Sequence, residues 1–189
     1  MRIGAIILAA GASRRLGRAK QLVVYEGETL LARVVRLVRE AGVPWVVVVL
    51  GAEYEAIVEA VDLSAVHVVR NTEWEQGMAG SIHAGLSALD ADAAGAMILT
   101  CDQPRLSVLH LLALVAAFDA QGGAEIVASE YAGGVGVPAI FPREVFAELY
   151  GLIGDKGARG LLYGDGVVRV GFSGGEVDVD TPEDLKSSF

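Results

Sequence analysis

The chain begins with an apolar run that passes directly into a loop of small and positively charged residues. Residues 3–8 carry no polar side chain, as in a strand that is buried on both faces. Residues 9–17 are mostly small but include Arg14 and Arg15, and Lys20 follows. Small side chains let backbone N–H groups approach an anion, and the cations neutralise its charge. The pattern predicts a phosphate-binding loop after a buried strand, in an enzyme that handles a nucleoside triphosphate.

Two other kinds of phosphate-binding loop do not fit this segment. It is not a Walker loop, because no Gly-Lys-Ser/Thr closes it, and it is not a dinucleotide fingerprint, because G-x-G-x-x-G does not occur there. The missing fingerprint argues against a nicotinamide-dependent oxidoreductase. One alternative stays open from these residues alone, which is an ordinary strand-to-helix connection that carries surface arginines.

The composition suits one domain with an acidic surface. The chain has 189 residues, of which 53% are hydrophobic, and no Pro- or Ser-rich linker divides it, so we expect a single domain over residues 1–189. The formal net charge of -9 disfavours nucleic acid as a partner, because a phosphate backbone requires a basic surface. Against this background, the cations of the loop would focus a positive field at one cleft.

Cysteine usage and the lengths of the apolar runs predict a cytoplasmic location. Cys101 is the single cysteine, which excludes a disulfide framework and a cysteine zinc cluster and suits a reducing compartment. The apolar run at the N-terminus is short and ends in arginines, so we interpret it as a strand rather than a signal peptide. The apolar residues 46–50 are too few to span a membrane, and no membrane partner is expected.

Hydrophobic periodicity alternates between strands and helices along the chain. This order predicts an α/β fold with a doubly wound, mostly parallel sheet. Three motifs, at Gly11, Asn71 and Asp102, each come directly after a predicted strand. Because ligands of such sheets bind at the carboxyl ends of strands, we expect the motifs to meet at one site. Strands are predicted over residues 3–8, 46–50, 66–69, 96–100, 126–129 and 137–141, a turn or loop over 133–136, and helices over 29–41, 53–61, 81–89 and 108–118.

Two acidic segments are candidates for binding a metal ion. Asp102 follows a wholly apolar strand, where a carboxylate can hold a hard cation such as Mg²⁺ against triphosphate oxygens. Asp102 could instead cap the next helix, but Ser107 is the better cap. In the second segment, residues 178–185, either Asp180 or Thr181 can cap a helix that has a proline in its first turn. That local role is sufficient for the acidic side chains there, and only the fold could bring Asp180 to Asp102.

Residues 71–82 combine the end of a strand with the start of a helix. Asn71 ends a predicted strand, and the small residues from Gly77 to Ser81 open a helix. Backbone N–H groups at such a point could hold an anion or the edge of a base. The alternative is that Ser81 is only the helix cap and that Trp74 is a surface anchor.

The motifs together resemble those of a known enzyme family. The loop is similar to the L-A-A-G-x-S-x-R-x-G…K signature of nucleotidyltransferases, above all of the branch that handles the molybdenum cofactor, the molybdopterin cytidylyltransferases and their guanylyltransferase relatives. Asp102 lies in a segment similar to the family's D-x-P, residues 178–184 match D-x-D-T-P-E-D, and residues 71–82 match N-x-x-W-x-x-G-M-x-x-S-I. Two more stretches match, G-x-P-x-x-F at 136–141 and G-D-K-G-A-R at 154–159. The resemblance implies a Rossmann-like nucleotidyltransferase fold.

The resemblance also implies roles for individual residues. Lys20 and Arg15 would be catalytic, by stabilising the triphosphate and the transition state, and Asp102 and Asp180 would bind Mg²⁺. The residues implied to bind the nucleotide are Leu8, Ala9, Ala10, Gly11, Ser13, Arg14, Asn71, Gly77, Met78 and Ser81. For residues 136–141 a glycine-rich turn, and for residues 154–159 a solvated surface loop, are equal alternatives. The residues implied to bind the acceptor are Gln103, Pro104, Gly136, Pro138, Lys156 and Arg159.

The activity that the resemblance implies is transfer of CMP from CTP to the phosphate of molybdopterin, with release of pyrophosphate. Ala10 places the loop with the cytidylyltransferases, because their guanylyltransferase relatives usually carry L-A-G-G. One alternative is a related transferase that uses GTP or a sugar- or alcohol-phosphate acceptor. Another is a non-catalytic carrier that delivers the molybdenum cofactor to a molybdenum hydroxylase, which could dispense with the cations and carboxylates found here.

Overall fold

Seven strands build the central sheet of the computed structural model, which describes residues 1–187. The strands of the protein are β1 (Ile3–Ala9), β2 (Val24–Tyr25), β3 (Glu28–Thr29), β4 (Trp45–Leu50), β5 (His67–Arg70), β6 (Gly95–Thr100), β7 (Val127–Tyr131), β8 (Gly134–Pro142) and β9 (Val168–Gly171). The central sheet has the order β5-β4-β1-β6-β8-β7-β9, and β2 pairs with β3. Within the central sheet β8 is antiparallel to both of its neighbours, and the other neighbouring pairs are parallel. The predicted α/β fold with a mostly parallel sheet is confirmed. The last two positions of the predicted domain lie outside the described residues.

The helices cover both faces of the sheet. They are α1 (Leu30–Glu40), α2 (Tyr54–Ala60), α3 (Met78–Ser87), α4 (Val108–Ala120), α5 (Phe146–Tyr150) and α6 (Pro182–Ser187). Side-chain oxygens of Thr29 and Ser107 cap α1 and α4, by accepting from the backbone N–H groups of Ala32 and His110. The cap predicted at Ser107 is therefore confirmed. Within residues 1–187, no helix has both the length and the apolar character required to cross a lipid bilayer.

Successive side chains of β1 pack on opposite faces of the sheet, against different helices. Ile7 belongs to a cluster with Leu31 of α1 and Leu111 of α4, whereas Ile6 packs with Ile82 of α3. All five of these side chains are fully buried, and each contributes about 1.5–3 kcal/mol relative to an exposed position. A strand that is covered on both faces has no polar position. The loop that follows β1 therefore starts from the rigid centre of the molecule.

The hairpin between β7 and β8 corrects the sequence prediction for residues 133–136. A turn or loop is predicted there, but Gly134 already pairs with Tyr131, and β8 includes Gly136. The turn consists of Ala132 and Gly133, with φ values of 51° and 73°. Positive φ at both central residues gives a two-residue turn whose twist matches that of the flanking strands. The glycines at 134 and 136 are therefore part of a paired strand.

The strand order places the carboxyl ends of β1 and β6 side by side at the centre of the sheet. The chain passes from β1 to β4 and β5 on one side and then returns to β6 on the other. In the register between β1 and β6, Leu8 lies opposite Thr100, so the loop after β1 and Asp102 leave the sheet as neighbours. A crevice opens at such a reversal of strand order, and it is the usual ligand site of these sheets.

Candidate active site

The loop after β1 directs its carbonyl groups into the protein. The carbonyl oxygens of Ala9 and Gly11 accept hydrogen bonds from Nε2 of Gln21, at 2.6 and 3.2 Å. The carbonyl oxygen of Ala10 accepts one from the backbone N–H of Ala52, at 2.9 Å. In a trans peptide the C=O and the following N–H point in opposite directions. The backbone N–H groups of residues 10–12 therefore face away from Gln21 and Ala52.

These N–H groups remain available as donors. Within residues 1–187, no backbone N–H of residues 10–15 has a hydrogen-bond acceptor. Residues 10, 11 and 13–15 line a cleft of about 340 Å³, so most of these donors belong to residues that border open space. Several unpaired N–H groups along one loop form a concave site that favours an anion.

Ser13 holds the turn that brings Lys20 to the cleft. Its Oγ accepts from the backbone N–H of Lys20 at 3.1 Å, and its carbonyl oxygen accepts from the N–H groups of Leu16 and Gly17 at 3.0 and 3.1 Å. Ser13 has a φ of 50°, a conformation that costs an L-residue about 1–2 kcal/mol. The hydrogen bonds around Ser13 stabilise this strained backbone and fix where the Lys20 side chain begins.

Lys20 lies between two carboxylates that are far apart in sequence. Its Nζ is 2.9 Å from Oδ2 of Asp102 and 2.5 Å from Oδ1 of Asp180. Arg15 donates to the other oxygen of Asp180 at 2.7 Å, and Thr100 donates from Oγ1 to Oδ1 of Asp102 at 2.5 Å. Burial acts to lower the pKa of Lys20, but the charges and hydrogen bonds of the two carboxylates outweigh it and hold the pKa above its ordinary value. Lys20 therefore carries a positive charge at the mouth of the cleft.

Residues 179–184 pack beside the loop and place Asp180 at the cleft. The backbone N–H of Val179 donates to the carbonyl oxygen of Asp102 at 2.8 Å, and its side chain is buried against Leu16, Val23 and Leu30. Immediately afterwards Thr181 and Asp184 bond each other across the start of α6. The predicted cap and the predicted meeting of Asp180 with Asp102 are thus both present in one short segment.

Most of the residues predicted to bind the nucleotide line the 340 Å³ cleft. Thr100, Cys101 and Gln21 also line it, although sequence reasoning did not select them. Burial raises the pKa of the Cys101 thiol to about 12, so this group stays protonated and unreactive. The predicted residues along the cleft are Leu8, Ala9, Ala10, Gly11, Ser13, Arg14, Arg15, Lys20, Met78, Ser81, Asp102 and Asp180.

Asn71 lies behind the cleft and orients Ser81. Its Nδ2 donates to Oγ of Ser81 at 3.0 Å, and its Oδ1 accepts from the backbone N–H of Glu73 at 3.0 Å. Both Asn71 and Ser81 are buried. Because Oγ of Ser81 accepts from Asn71, its own hydrogen can be donated toward the cleft.

The start of α3 differs from the prediction. The helix begins at Met78, so Ser81 lies inside it and is not its cap. Gly77, with a φ of 114°, precedes the helix, and a Cβ at this position would lie 2.3 Å from the carbonyl carbon of Gly154. The carbonyl oxygen of Gly154 accepts from the N–H of Ala79 at 3.0 Å. The G-D-K-G-A-R stretch at 154–159 therefore packs on this helix start and uses one of the N–H groups expected to face a ligand.

A second pocket, of about 300 Å³, adjoins the first. The two share Leu8, Met78, Thr100 and Asp102 as a common wall. Of the residues predicted to bind the acceptor, Gln103, Gly136 and Arg159 line the second pocket. Tyr131, Val137 and Asp178 line it too and were not selected from the sequence.

Asp178 shows how much negative charge gathers where the pockets meet. The residue as a whole is exposed, and it lines the second pocket. Removal from water there, followed by the charges of Asp102 and Asp180, raises its pKa to about 6. The carboxylates at this point repel one another, which favours a cation between them.

The other three predicted acceptor residues line neither pocket. Pro104 is buried, and its carbonyl oxygen accepts from Nε of Arg33 at 3.2 Å. Pro138 is buried in β8, and its carbonyl oxygen accepts from Oγ of Ser129 at 2.6 Å. Lys156 is exposed. The two prolines shape the walls of the site from behind, and a role for Lys156 in binding the acceptor stays a prediction.

The donor set at the cleft fits a hard divalent cation that arrives with a phosphate ligand. Among the described residues, no group of three or more acidic, histidine or cysteine side chains is placed to hold a metal ion by itself. Asp102 and Asp180 offer two carboxylates on either side of Lys20. Mg²⁺ is commonly held by one or two carboxylates together with substrate phosphates and water. The arrangement matches that pattern.

Comparison with known proteins decides the family. Residues 5–169 match the family model described as the MobA-like NTP transferase domain. The chain belongs to this family. The resemblance to nucleotidyltransferases is therefore confirmed, and the predicted phosphate-binding loop, Lys20 and Asp102 all lie within the matched part of the MobA-like NTP transferase domain.

Curated relatives of this MobA-like NTP transferase carry different names. The purine catabolism protein PucB of Bacillus subtilis is 34% identical over 195 residues, which cover 95% of this chain and 92% of the relative. The nicotine blue oxidoreductase of Paenarthrobacter nicotinovorans is 38% identical, over 54% of this chain and 50% of the relative. A probable molybdenum cofactor guanylyltransferase of Opitutus terrae is 40% identical, over 53% of this chain and 48% of the relative.

Solved structures share the whole architecture. Rv0371c of Mycobacterium tuberculosis superimposes with a TM-score of 0.85 at 31% identity, covering 99% of this chain and 97% of that chain. A structure of the same protein in complex with manganese has a TM-score of 0.83 at 29% identity, with coverage of 100% and 98%. A nucleotidyl transferase from Methanothermobacter, at 23% identity and a TM-score of 0.81, covers 98% of this chain and 94% of that chain and shares the fold. The predicted Rossmann-like nucleotidyltransferase fold is confirmed.

Proposed function

We propose that this protein transfers a nucleoside monophosphate, CMP from CTP in preference to others, to the phosphate of a molybdopterin-type acceptor in the cytoplasm. The observation that supports this most directly is the common wall between the two pockets. Asp102 belongs to both pockets and lies 2.9 Å from Lys20. A donor nucleotide and an acceptor that occupied the two pockets would meet at this pair.

The reaction is an in-line substitution at the α-phosphorus. An oxygen of the acceptor phosphate forms a bond to this phosphorus, the bond to the bridging oxygen breaks, and pyrophosphate leaves with the electron pair. The unpaired N–H groups of residues 10–15 bind phosphate oxygens, while Lys20 and Arg15 stabilise the charge that develops on them. A general base is unnecessary, because a phosphate acceptor is already an anion at neutral pH. Catalysis then depends on positioning and charge.

A divalent cation completes this arrangement. Asp102 and Asp180 would hold it, and it would neutralise charge on the phosphate oxygens when bound. We propose Mg²⁺, which carboxylate and phosphate oxygens suit. The manganese in the Rv0371c complex supports a divalent ion in a relative of similar structure.

The lining of the second pocket favours a flat heterocyclic acceptor. Its apolar lining residues include Ile82, Ile98 and Ala158. Asp178 and Arg159 bring charge to it, whereas the amide of Gln103 is turned to the backbone, with Nε2 donating to the carbonyl oxygens of Val137 and Gly175. A ring system can pack against these apolar residues while Arg159 attracts its phosphate.

The choice of CTP depends on the loop sequence. Ala10 gives the loop its L-A-A-G form, which resembles the cytidylyltransferases. The guanylyltransferase relative shows that the family also includes enzymes named for guanylyl transfer. A GTP-dependent reaction, or one with a sugar- or alcohol-phosphate acceptor, is therefore the competing outcome of the experiment below.

The experiment measures pyrophosphate release by the purified protein with CTP or GTP, with and without molybdopterin, and with Mg²⁺ or a chelator. We expect release that requires CTP, acceptor and metal together. Release of pyrophosphate with GTP but not with CTP would overturn the nucleotide assignment. Release with sugar phosphates but not with molybdopterin would overturn the acceptor assignment. Binding of molybdopterin without any release would favour a carrier that delivers the cofactor to a molybdenum hydroxylase.

A further inference from the structure

Gln21 is a buried polar side chain beneath the phosphate-binding loop. It is only 1% exposed and follows Lys20 in the chain. Its Nε2 donates to the carbonyl oxygens of Ala9 and Gly11, on either side of Ala10. Because both partners are acceptors, the orientation of the amide is fixed. The opposite orientation would place Oε1 against two carbonyl oxygens.

The other end of this amide is not satisfied. Oε1 of Gln21 is buried and has no hydrogen-bond partner among the described residues. A buried acceptor without a donor destabilises a fold, and an apolar side chain of similar size would avoid that penalty. Packing therefore does not account for a glutamine here, and the two bonds made by Nε2 are its distinguishing feature.

Those two hydrogen bonds determine which way the peptide groups of the loop point. The N–H groups of Ala10 and Ala12 follow the two carbonyls that Gln21 holds, and in trans peptides they point the opposite way. Without Gln21, these peptides could rotate and present carbonyl oxygens to the cleft, where they would repel phosphate. Ala52 holds only the carbonyl of Ala10, so it cannot replace Gln21.

We propose that Gln21 is a positioning residue that keeps the donors of the phosphate-binding loop turned toward the triphosphate. Although the residue lines the cleft, its Nε2 is committed to the two carbonyl oxygens and its Oε1 is buried, so it acts through the loop. This inference rests on the proposed function only in that the loop binds a triphosphate. It does not depend on the base, the acceptor or the transfer step.

The test uses inorganic tripolyphosphate, which has neither a base nor an acceptor. Its dissociation constant is measured by calorimetry for the wild type, Gln21→Met and Gln21→Glu, beside their thermal unfolding. Phe118→Leu is the matched control, because Phe118 is fully buried and packs near Gly95 and Gly123, away from the cleft. We expect Gln21→Met to bind at least about tenfold more weakly, and Phe118→Leu to bind as the wild type does even when it is equally destabilised.

Gln21→Glu adds a second measurement, the pH dependence of tripolyphosphate binding, which a merely structural role of Gln21 would not change. At pH 7.5 its carboxylate would repel the carbonyls of Ala9 and Gly11, and binding should be weaker than in the wild type. As the pH falls to 5.5 the buried carboxyl takes up a proton and can donate one hydrogen bond, so affinity relative to the wild type should recover. If Gln21→Met does not fold, this pH profile carries the test.

The outcomes separate this inference from the proposed function. Binding by Gln21→Met within twofold of the wild type, or a flat ratio for Gln21→Glu across pH, would overturn the positioning role. If the wild type binds tripolyphosphate but releases no pyrophosphate in the transfer assay, the proposed function is wrong. The role of Gln21 is not affected by that result. Failure of the wild type to bind tripolyphosphate would remove the positioning role as well.

Discussion

Nζ of Lys20 lies 2.9 Å from Oδ2 of Asp102, although 82 residues separate the two in sequence. The register between β1 and β6 makes this contact possible, because Leu8 lies opposite Thr100. Asp102 follows β6 almost directly, and the turn held by Ser13 brings Lys20 back to the same crevice. The charge pair thus depends on the strand order, and it places Lys20 in the first pocket beside Asp102, which lines both pockets.

Replacing Asp102 should abolish transfer without unfolding the protein. Asp102→Ala removes a proposed metal ligand and one partner of Lys20, so we expect pyrophosphate release to fall by at least about 10²–10³-fold. Asp165→Ala, at an exposed position, is the matched control and should retain activity. Metal-dependent release by Asp102→Ala at a rate near that of the wild type would contradict the metal assignment.

Lys20 should contribute mainly to the transition state. In Lys20→Ala the charge that develops on the phosphate oxygens loses its partner, and kcat/KM should fall by an amount equivalent to about 2–4 kcal/mol. Steady-state kinetics should show the loss chiefly in kcat rather than in KM for CTP. Arg18→Ala, at an exposed position in the same loop, should change kcat/KM far less, because salt screens an exposed charge. Equal losses in the two variants would point to general attraction of the anion instead.

Local signals in the sequence were sufficient for the central part of the fold and one side of the site. The apolar run before Gly11, the strand before Asp102 and the cap at Ser107 depend on neighbouring residues, and the structure has all three. The role of Asp180 required the fold, because its segment reaches the cleft by packing Val179 against Leu16, Val23 and Leu30, which are distant in sequence.

Other features could not be predicted because they depend on contacts between distant segments. The direction of β8 leaves no trace in the hydrophobic pattern, because β8 is buried on both faces, as the parallel strand β6 beside it is. Gly77 faces Gly154 only in the folded chain. Gln21 offered one weak signal, a polar residue directly before the apolar run at 22–24, but nothing in the sequence identified the carbonyls that it holds.

Gly77 should be sensitive to a methyl group for two reasons that can be separated. Gly77→Ala imposes a positive φ on alanine and places Cβ 2.3 Å from the carbonyl carbon of Gly154. Gly122 also has a positive φ, 63°, and a Cβ there has open space, so Gly122→Ala measures the cost of a left-handed φ without a clash. Gly77 combines a φ of 114° with a ψ of 178°, a region that glycine alone adopts readily, and so adds both backbone strain and the clash. We expect urea unfolding to show a loss of about 1 kcal/mol for Gly122→Ala and about 1–3 kcal/mol more for Gly77→Ala. Equal losses of unfolding free energy in the two variants would mean that residues 154–159 move aside at no measurable cost.

Gly77→Ala should also weaken binding of the acceptor. The new Cβ would displace residues 154–159, and this stretch includes Arg159, which lines the second pocket. KM for the acceptor should rise, whereas KM for CTP should change less. An unchanged KM for the acceptor, in a variant that has lost stability as expected, would separate residues 154–159 from the acceptor site.

His110 should make the stability of the protein depend on pH. Its ring is buried, stacks on Phe172 at 4.3 Å, and has Nε2 2.7 Å from Oγ of Ser129. Burial lowers the pKa of His110 from 6.5 to about 4, so the unfolded chain binds more protons than the folded protein between these values. The free energy of unfolding should therefore fall as the pH drops from 6.5 to 4, by at most about 3 kcal/mol.

The part of this pH dependence that belongs to His110 can be isolated by substitution. His110→Gln keeps a donor for Ser129 but cannot take up a proton, so its free energy of unfolding should lose less between pH 6.5 and pH 4 than that of the wild type. Phe118→Leu is destabilised by lost packing at every pH, and its curve should run parallel to that of the wild type. Chemical denaturation across this range measures all three. Parallel curves for His110→Gln and the wild type would show that the imidazole is as easily protonated in the folded protein as in the unfolded chain.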